Sequence, residues 1–515
     1  MRHIKIITFI FLLISISSCT RDKGNYDYHN INEISISSLE SSYSVITGVT
    51  DLKITPDLAM TEKSPKDSDF DFFWIIKQGS EERIIDTIGR NSTLNYRVSL
   101  IPGSYVLHFR VLDKKTNVVW KANTQLVVGT PYSRGLMLVG TNEDGNADVD
   151  MITMVLDTVI VSGILKQSGL PPLQDPVSIV HTGVTAGVNN AKLWVLTNSG
   201  SYYLNRETMK GSVEDRFGKM AFVGDNIDRN KIIPIIVAPQ IRNMAGSTGG
   251  TFFRAHLCKD GNIYGSALLS SEVYSSPLNR ASNNVNKLLK AAPYLLYPIN
   301  SMGNVTWYDI ENHRFMSISS LLNTSSNILV DKEGDPFPWN QAGTSRKLIY
   351  AENSRNTDGG STNGNSFAIL RDDNNQSYIY KFYAQGTPQK RAVYTIKSLA
   401  NDFNKASFYA FSSNRTVVFY TVGNKLFAYD YNPGNERIYQ FPEIGTDEIT
   451  MLKFDTQIDH LTNALYIATY NSNTKGTLRK FILGSNPDVV TISQVANSNW
   501  SGLIKIKDMN WRAVN

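Results

Sequence analysis

The sequence predicts an all-β protein, an immunoglobulin-like β-sandwich followed by a β-propeller. Three observations predict it. Short runs of alternating apolar residues fill residues 30–129, separated by turn clusters such as "KSPKDSD" and "IPGS". From residue 130 onward hairpins recur, each a strand, a Gly- or Asn-containing turn and a returning strand rich in Tyr or Phe. The composition is that of an exported β-protein: charged residues are only 19%, and the 22 Phe and 25 Tyr argue against disorder.

The chain begins Met-Arg-His-Ile-Lys and then runs apolar from Ile6 to Ile16. A membrane-spanning helix needs about 20 apolar residues, so this run predicts a signal peptide over residues 1–18. Ile16-Ser17-Ser18-Cys19 resembles the lipobox of bacterial lipoproteins, which makes Cys19 the lipid attachment site. The chain has 2 Cys; acylation of Cys19 leaves Cys258 in "FFRAHLCKDG" as a small buried apolar residue. Residues 19–29 then form a polar stalk. Several acyl chains together hold a soluble body stably on a membrane.

Lys and Arg total 51 and Asp and Glu 46; removing Arg2 and Lys5 with the signal leaves 49 − 46 = +3. No basic stripe marks the chain for nucleic acid. Its length predicts more than one core.

Residues 30–129 hold seven strand-like runs: "NEISIS", "DLKITPDL", "FDFFWIIKQ", "ERIIDTIGR", "STLNYRVSL", "GSYVLHFRVLDKK" and "VVWKANTQLVV". In the sixth, Tyr105, Leu107, Phe109 and Val111 share one face, the period of a half-buried strand. Trp74 in the third run is placed to fill the core between two sheets. "FDFFWIIKQ" followed by "LIPGSYVLHFRVLD" resembles a PKD-type immunoglobulin-like domain, and "RDKGNYDYHNINEISI" is similar to the start of the PKD-like lipoproteins of Bacteroidota. The resemblance implies an outer-membrane lipoprotein facing the cell exterior, in the company of a SusC/SusD-like importer.

In residues 130–515 the hairpins include "AKLWVLTNSGSYYLN", "RAHLCKDGNIYGSAL", "RTVVFYTVGNKLFAYDYNPGNERIYQF" and "NALYIATYNSNTKGTLRKFIL". An interval of roughly 40 to 55 residues signals propeller blades. Seven blades are expected, six or eight being the alternatives. The ring is expected to close by pairing "GLMLVG" (135–140) with the C-terminal "GLIKIKDMNWRAVN". "SSPLNRASNNVNKLLKAAPYLL" (275–296) is the best helix candidate, and "ENSRNTDGGSTNGNSF" (352–367) reads as a mobile polar loop.

Few motifs carry chemistry. Asp144, Asn146, Asp148 and Asp150 alternate in "NEDGNADVD", a spacing that can hold calcium, although Val149 stands where an EF-type loop needs Gly. A solvated loop is the plainer expectation, with no cofactor. "NMAGSTGGTFF" echoes a nucleophile elbow but leads into a strand rather than a helix. His256 and Cys258 are two residues apart, too few for zinc. No catalytic residue is assigned. The best recognition candidate is "DKEGDPFPWNQAG", where prolines stiffen a loop bearing Asp335, Phe337 and Trp339; Trp307 and Tyr308 form a second. Blade packing is the competing role for these rings.

The expected function is non-catalytic: binding a nutrient ligand, oligopeptide or glycan, and docking on the importer. A propeller hydrolase or lyase and a purely structural assembly factor are the alternatives.

Overall fold

The computed structural model describes residues 31–61, 66–78, 83–155, 158–183, 191–224, 226–242, 248–249, 252–268, 272–299, 302–458 and 464–513. The signal peptide, Cys19, the stalk and the Gly246-Ser247 turn lie outside these. Strands dominate, and among the described residues the only helical elements are single 3-10 turns. The chain divides into two compact units, residues 1–129 and 130–515.

The first unit is built on a five-stranded sheet in the order Ser42–Ile46, Val119–Gly129, Gly103–Asp113, Phe70–Gln78, Arg83–Gly89. Its edge strand Ser42–Ile46 runs parallel to Val119–Gly129, and the other pairings are antiparallel. Two short ladders, Ile34–Ser37 with Asp57–Met60 and Asp51–Ile54 with Leu94–Arg97, complete the unit. "DLKITPDL" therefore makes two strands rather than one. Pro56 lacks the N–H a continuous ladder requires, and the halves pair with different partners. Leu52, Ile54 and Leu94 from the ladders share one core with Trp74, Leu107, Phe109 and Val111 from the sheet. The expected aromatic is at its centre: Trp74 is fully buried, its ring centre 4.4 Å from that of Phe109, and its indole N–H donates to the Asn91 carbonyl at 2.9 Å. The Tyr105 hydroxyl donates to the Ile101 carbonyl at 2.6 Å, pinning the "IPGSY" corner. Trp74→Ala leaves a cavity and an orphaned carbonyl. It is expected to cost about 3–5 kcal/mol and to unfold this unit in a denaturant titration while the second unit's transition stays in place.

Among the described residues the second unit holds seven three- or four-stranded antiparallel sheets that follow one another along the chain. In order, the strands at their first edges are Lys505–Ala513, Pro176–His181, Pro234–Val237, Val305–Asp309, Lys347–Asn353, Phe408–Phe411 and Glu448–Phe454. The first sheet is composite: Lys505–Ala513, the last strand of the chain, pairs with Arg134–Thr141, the first strand of the unit. This is the pairing expected of the two ends. Gly140 makes it feasible, because a Cβ there would sit 2.1 Å from the Lys505 carbonyl oxygen at the bulge in this ladder. Residues 291–297 run beside Val305–Asp309 through the Ala291–Asp309 and Leu296–Thr306 bridges and give the fourth sheet an inner segment.

Each sheet is apolar on both faces. Along Arg134–Thr141, Met137 and Val139 enter a core shared with the second sheet, and Leu136 and Leu138 a core shared with the seventh. This two-faced burial is why "GLMLV" reads as an unbroken apolar run. Equivalent cores join sheets two and three around Trp194 and Phe217, three and four around Leu257 and Trp307, and four and five around Phe315 and Phe382. Phe411 and Tyr420 lie between five and six, and Phe419 and Phe454 between six and seven. The series of cores returns to its start, an architecture of propeller type.

The hairpin turns behave as their residues require: Gly261, Gly423 and Gly434 all have positive φ. Two expectations fail. Residues 275–296 form no helix; Arg280–Ala281 and Asn284–Leu288 pair as strands. The fully buried Asn279 side chain takes the place of helical hydrogen bonds, accepting from Ile263 N–H and donating to the Gly261 carbonyl at 3.2 Å. The 352–367 segment is packed and bonded rather than loose. Ser361 and Asn365 are fully buried, and Asn365 Nδ2 donates to Asn356 Oδ1 at 2.8 Å and the Asp358 carbonyl at 3.0 Å.

Candidate functional site

Six of the seven first-edge strands, with the segment beside the fourth, converge on a cavity of about 500 Å³ inside the second unit. Six sheets and the segment beside the fourth line it: Ser178 from the second, Ile236 from the third, Leu295 and Tyr297 before the fourth, Tyr350 and Glu352 from the fifth. Phe411 from the sixth, Lys453 from the seventh and Asp508 from the closing strand complete the ring. A single side chain from each of several strands is how a propeller builds a site, since one strand contributes only alternate residues to one face.

Two polar groups and the separate Lys507 interrupt a mostly apolar wall. The first centres on Glu352. Its carboxylate accepts from the Phe411 N–H and, at 2.8 Å, from the Tyr350 hydroxyl. Burial pushes the Glu352 carboxyl up to about 7, the two hydrogen bonds and the Lys453 charge offsetting only part of the desolvation. Tyr350 itself packs between Tyr294 and Tyr409, with ring centres 5.8 and 5.5 Å away, and its hydroxyl is held well above the usual range by burial. Beside it Asn353 joins two sheets, accepting from Tyr297 N–H at 2.9 Å and donating to the Leu295 carbonyl at 2.9 Å.

The other polar group is the Lys453–Asp508 ion pair at 2.8 Å. The Lys453 ammonium also donates to the Met509 carbonyl at 2.8 Å, and the other Asp508 oxygen accepts from Ser178 and, at 3.0 Å, from Asn510. Asp508 is thereby satisfied on both oxygens. Lys507, next to it, is exposed, with its ammonium 5.9 Å from the centre of the Phe408 ring.

The structure does not bring the sequence-predicted recognition residues to this cavity. Trp307, Tyr308, Phe337 and Trp339 are all buried, with at most 3% of their surface exposed. Trp307 donates its indole N–H to Ser326 Oγ at 3.0 Å in the core between sheets three and four. Tyr308, Phe337 and Trp339 fill the core between sheets four and five. Asp335 is no free acceptor: Asp335 and Asp331 each hold the Lys390 ammonium at 2.6 Å, and Lys390 lies 5.2 Å from the Trp339 ring centre, closing the cluster over. The hydrogen bond from Lys390 holds the Asp335 carboxyl below its ordinary range. The competing role, blade packing, is the one these rings have, and the prolines set a plug rather than a platform.

Asp144, Asn146, Asp148 and Asp150 lie on and beside the hairpin joining Arg134–Thr141 to Ala147–Met154. A second cavity, about 320 Å³, is lined by Asp144, Asp148 and Asp150 with Lys166, Lys475 and Lys505. Asp148 accepts from Val149 and Leu165 N–H, Asp150 from Gly163 and Ile504 N–H, and Asp144 lies 3.5 Å from Lys166. These carboxylates are engaged in tying the hairpin to its neighbours. Among the described residues no three His, Cys, Asp or Glu are placed to hold a metal.

His256 is ringed by Trp194, Phe217 and Tyr274, and its Nε2 is 3.8 Å from Glu272, which pairs with the buried Arg254 at 2.7 Å. Arg254 and His256 hold the Glu272 carboxyl down at about 2 against the opposing effect of burial. Cys258 is buried and unpaired, its thiol pushed well up by desolvation, which suits packing and not nucleophilic attack.

Sequence reasoning missed Glu352, Lys453, Lys507 and Asp508. The only local signal was a polar residue interrupting an inner strand, as in "IYAENS", "MLKFD" and "KIKDMN". Nothing in the chain order says that strands so far apart share an axis.

Three solved structures are similar over much of the chain. A quinonprotein alcohol dehydrogenase-like protein from Bacteroides thetaiotaomicron is 12% identical, covering 92% of this chain and 96% of its own, with a TM-score of 0.36. A hypothetical selenium-binding protein from Sulfolobus tokodaii is 10% identical, covering 74% and 94%, with a TM-score of 0.41. The WD40 domain of SCAP from fission yeast is 9% identical, covering 63% and 75%, with a TM-score of 0.29. No curated protein matches. Residues 19–169, which include the whole described sandwich and the first hairpin after it, match the model of the PKD-like family.

Proposed function

We propose that this protein is a non-catalytic, lipid-anchored surface protein of a bacterial outer membrane whose second unit is a seven-bladed propeller. The central cavity receives a nutrient ligand, oligopeptide or glycan, and the protein docks on a SusC/SusD-like importer. The lipobox-like Ile16-Ser17-Ser18-Cys19 and the PKD-like match over residues 19–169 support the anchor and its setting. The seven sheets, and the cores that return to the first of them, support the blade number.

One observation carries the binding role: a cavity of about 500 Å³, mostly apolar, with a few converging polar groups, lined by six of the seven larger sheets and by the segment that runs beside the fourth. Affinity capture of the tagged, full-length chain from gently solubilised outer membranes tests the setting. Co-purification of a TonB-dependent barrel is expected; repeated recovery of the protein alone would reject the importer.

A rival reading, a hydrolase or lyase, is favoured by Glu352, a carboxyl poised near neutrality inside the cavity. It requires a further group positioned for bond breaking. The cavity's other carboxylate, Asp508, is bound to Lys453, Ser178 and Asn510, so binding is the better-supported function.

A further inference from the structure

The charges of the central cavity are not equivalent. Four charged side chains line it: Glu352, Lys453, Lys507 and Asp508. Lys453 and Asp508 neutralise each other at 2.8 Å and spend their remaining capacity on Met509, Ser178 and Asn510. Glu352 receives only a backbone N–H and a tyrosine hydroxyl, both neutral donors. Among the described residues Lys507 makes no ion pair. The cavity therefore presents one carboxyl and one ammonium that make no ion pair with its own described walls, the Lys453 charge being felt at Glu352 but committed to Asp508.

Between them the walls are apolar, with Val177, Ile235, Ile236, Leu295, Ile299 and Met451 interspersed with the rings of Tyr294, Tyr297, Phe408 and Phe454. A sugar ring is ordinarily gripped by an exposed aromatic face with hydrogen-bonding groups at its rim. Here the Tyr350 ring is flanked by Tyr294 and Tyr409, and the Phe411 ring is stacked on Phe367 at 4.6 Å. An uncharged ligand would also cover Glu352 and the exposed Lys507 without pairing either, and taking a charge out of water unpaired is costly.

Resting on the reading that this cavity is the ligand site, we propose that it takes a short peptide with apolar side chains and free ends. The Glu352 carboxylate receives the peptide's terminal ammonium, the Lys507 ammonium receives its terminal carboxylate, and the apolar wall receives the side chains. A zwitterion supplies both missing counter-charges at once. Charge-assisted hydrogen bonds of this kind are roughly twice as strong as neutral ones.

The test uses the full-length chain and three probes: tripeptides built from Leu, Ile, Val and Phe, the same peptides N-acetylated or C-amidated, and a panel of neutral oligosaccharides. Binding is read by calorimetry and native mass spectrometry. Free tripeptides are expected to bind, and each cap to weaken them about 10-fold or more. Glu352→Gln is expected to abolish only the penalty of acetylation and Lys507→Met only that of amidation, with unchanged circular dichroism showing that both variants fold. Equal affinity for capped and free peptides, or binding of oligosaccharides alone, would overturn the peptide assignment. Ile236→Trp, which fills the cavity, separates the two levels. If it abolishes binding of whichever probe binds, the cavity reading stands; if binding persists, or if no probe binds at millimolar concentration, that reading falls and the proposal with it.

Discussion

A chain ending at Ile504 is expected to lose the fold of its second unit. The cut removes only residues 505–515, a small part of the polypeptide, yet the strand Lys505–Ala513 within them is the inner edge of the first sheet and pairs along Arg134–Thr141. It buries Ile506, Met509 and Trp511 in the core shared with the seventh sheet. At about 1.5–3 kcal/mol for each large apolar side chain, burial of these three alone contributes on the order of 5–9 kcal/mol, against a total stability of about 5–15 kcal/mol for a typical domain. The loss is not confined to apolar area. Gln240 exchanges two hydrogen bonds with Ala513, at 3.0 and 3.1 Å, and Gln457 accepts from Trp511 N–H at 2.9 Å. Both glutamines are buried, so removing their partners strands polar groups in the interior. Limited proteolysis is the measurement: the truncated chain should be digested through residues 130–504 while the full chain resists. A truncated protein with an undiminished cooperative transition would show that the end pairing is dispensable.

Glu352→Gln is expected to stabilise the second unit at high pH and to do nothing at low pH. The sign follows from proton binding. The carboxyl has an ordinary value of 4.5 and a folded value of about 7. Below about pH 4 both the folded and unfolded chains carry the proton, and Glu352 adds no pH dependence. Between those values the folded chain keeps a proton that the unfolded chain has released, so stability falls as pH rises. Above about pH 8 both forms are ionised and the full penalty is present. At 1.36 kcal/mol per unit, the shift from 4.5 to about 7 corresponds to about 3 kcal/mol. Glutamine keeps the shape: its carbonyl oxygen accepts from Phe411 N–H and its amide donates to the Tyr350 hydroxyl. Urea titrations of both proteins at pH 4 and pH 8.5 should therefore coincide at the lower pH and separate at the higher, the variant being the more stable. A variant less stable at pH 8.5 would mean that the cavity favours the ionised carboxylate, through Lys453 or Lys507, and that burial is not the dominant influence.

The contrast between "DKEGDPFPWNQAG" and "IYAENS" shows what local sequence carries. The longer stretch has the composition of a recognition loop, and its stiffness is real, but Phe337 and Trp339 turn inward because the core between sheets four and five has room for them and Lys390 caps them. The shorter one has the composition of an ordinary strand end, yet its Tyr350 and Glu352 face the central cavity. Likewise "SSPLNRASNNVNKLLKAAPYLL" has apolar spacing compatible with a helix, and it is the distant Gly261 and Ile263 backbone, bonded to Asn279, that draws it into extended form.

The sequence by itself determined the class of most elements, the 275–296 segment excepted: alternation made strands, positive-φ glycines made their turns, and the apolar ends of the second unit marked each other for pairing. These are properties of neighbouring residues, and the physics behind them acts over a few ångströms of chain. Which strand edges meet, and hence which side chains line a common cavity, was decided only by tertiary structure. Seven sheets must bury both faces simultaneously, and that requirement couples residues hundreds of positions apart, such as Ser178 and Asp508, which no local pattern relates.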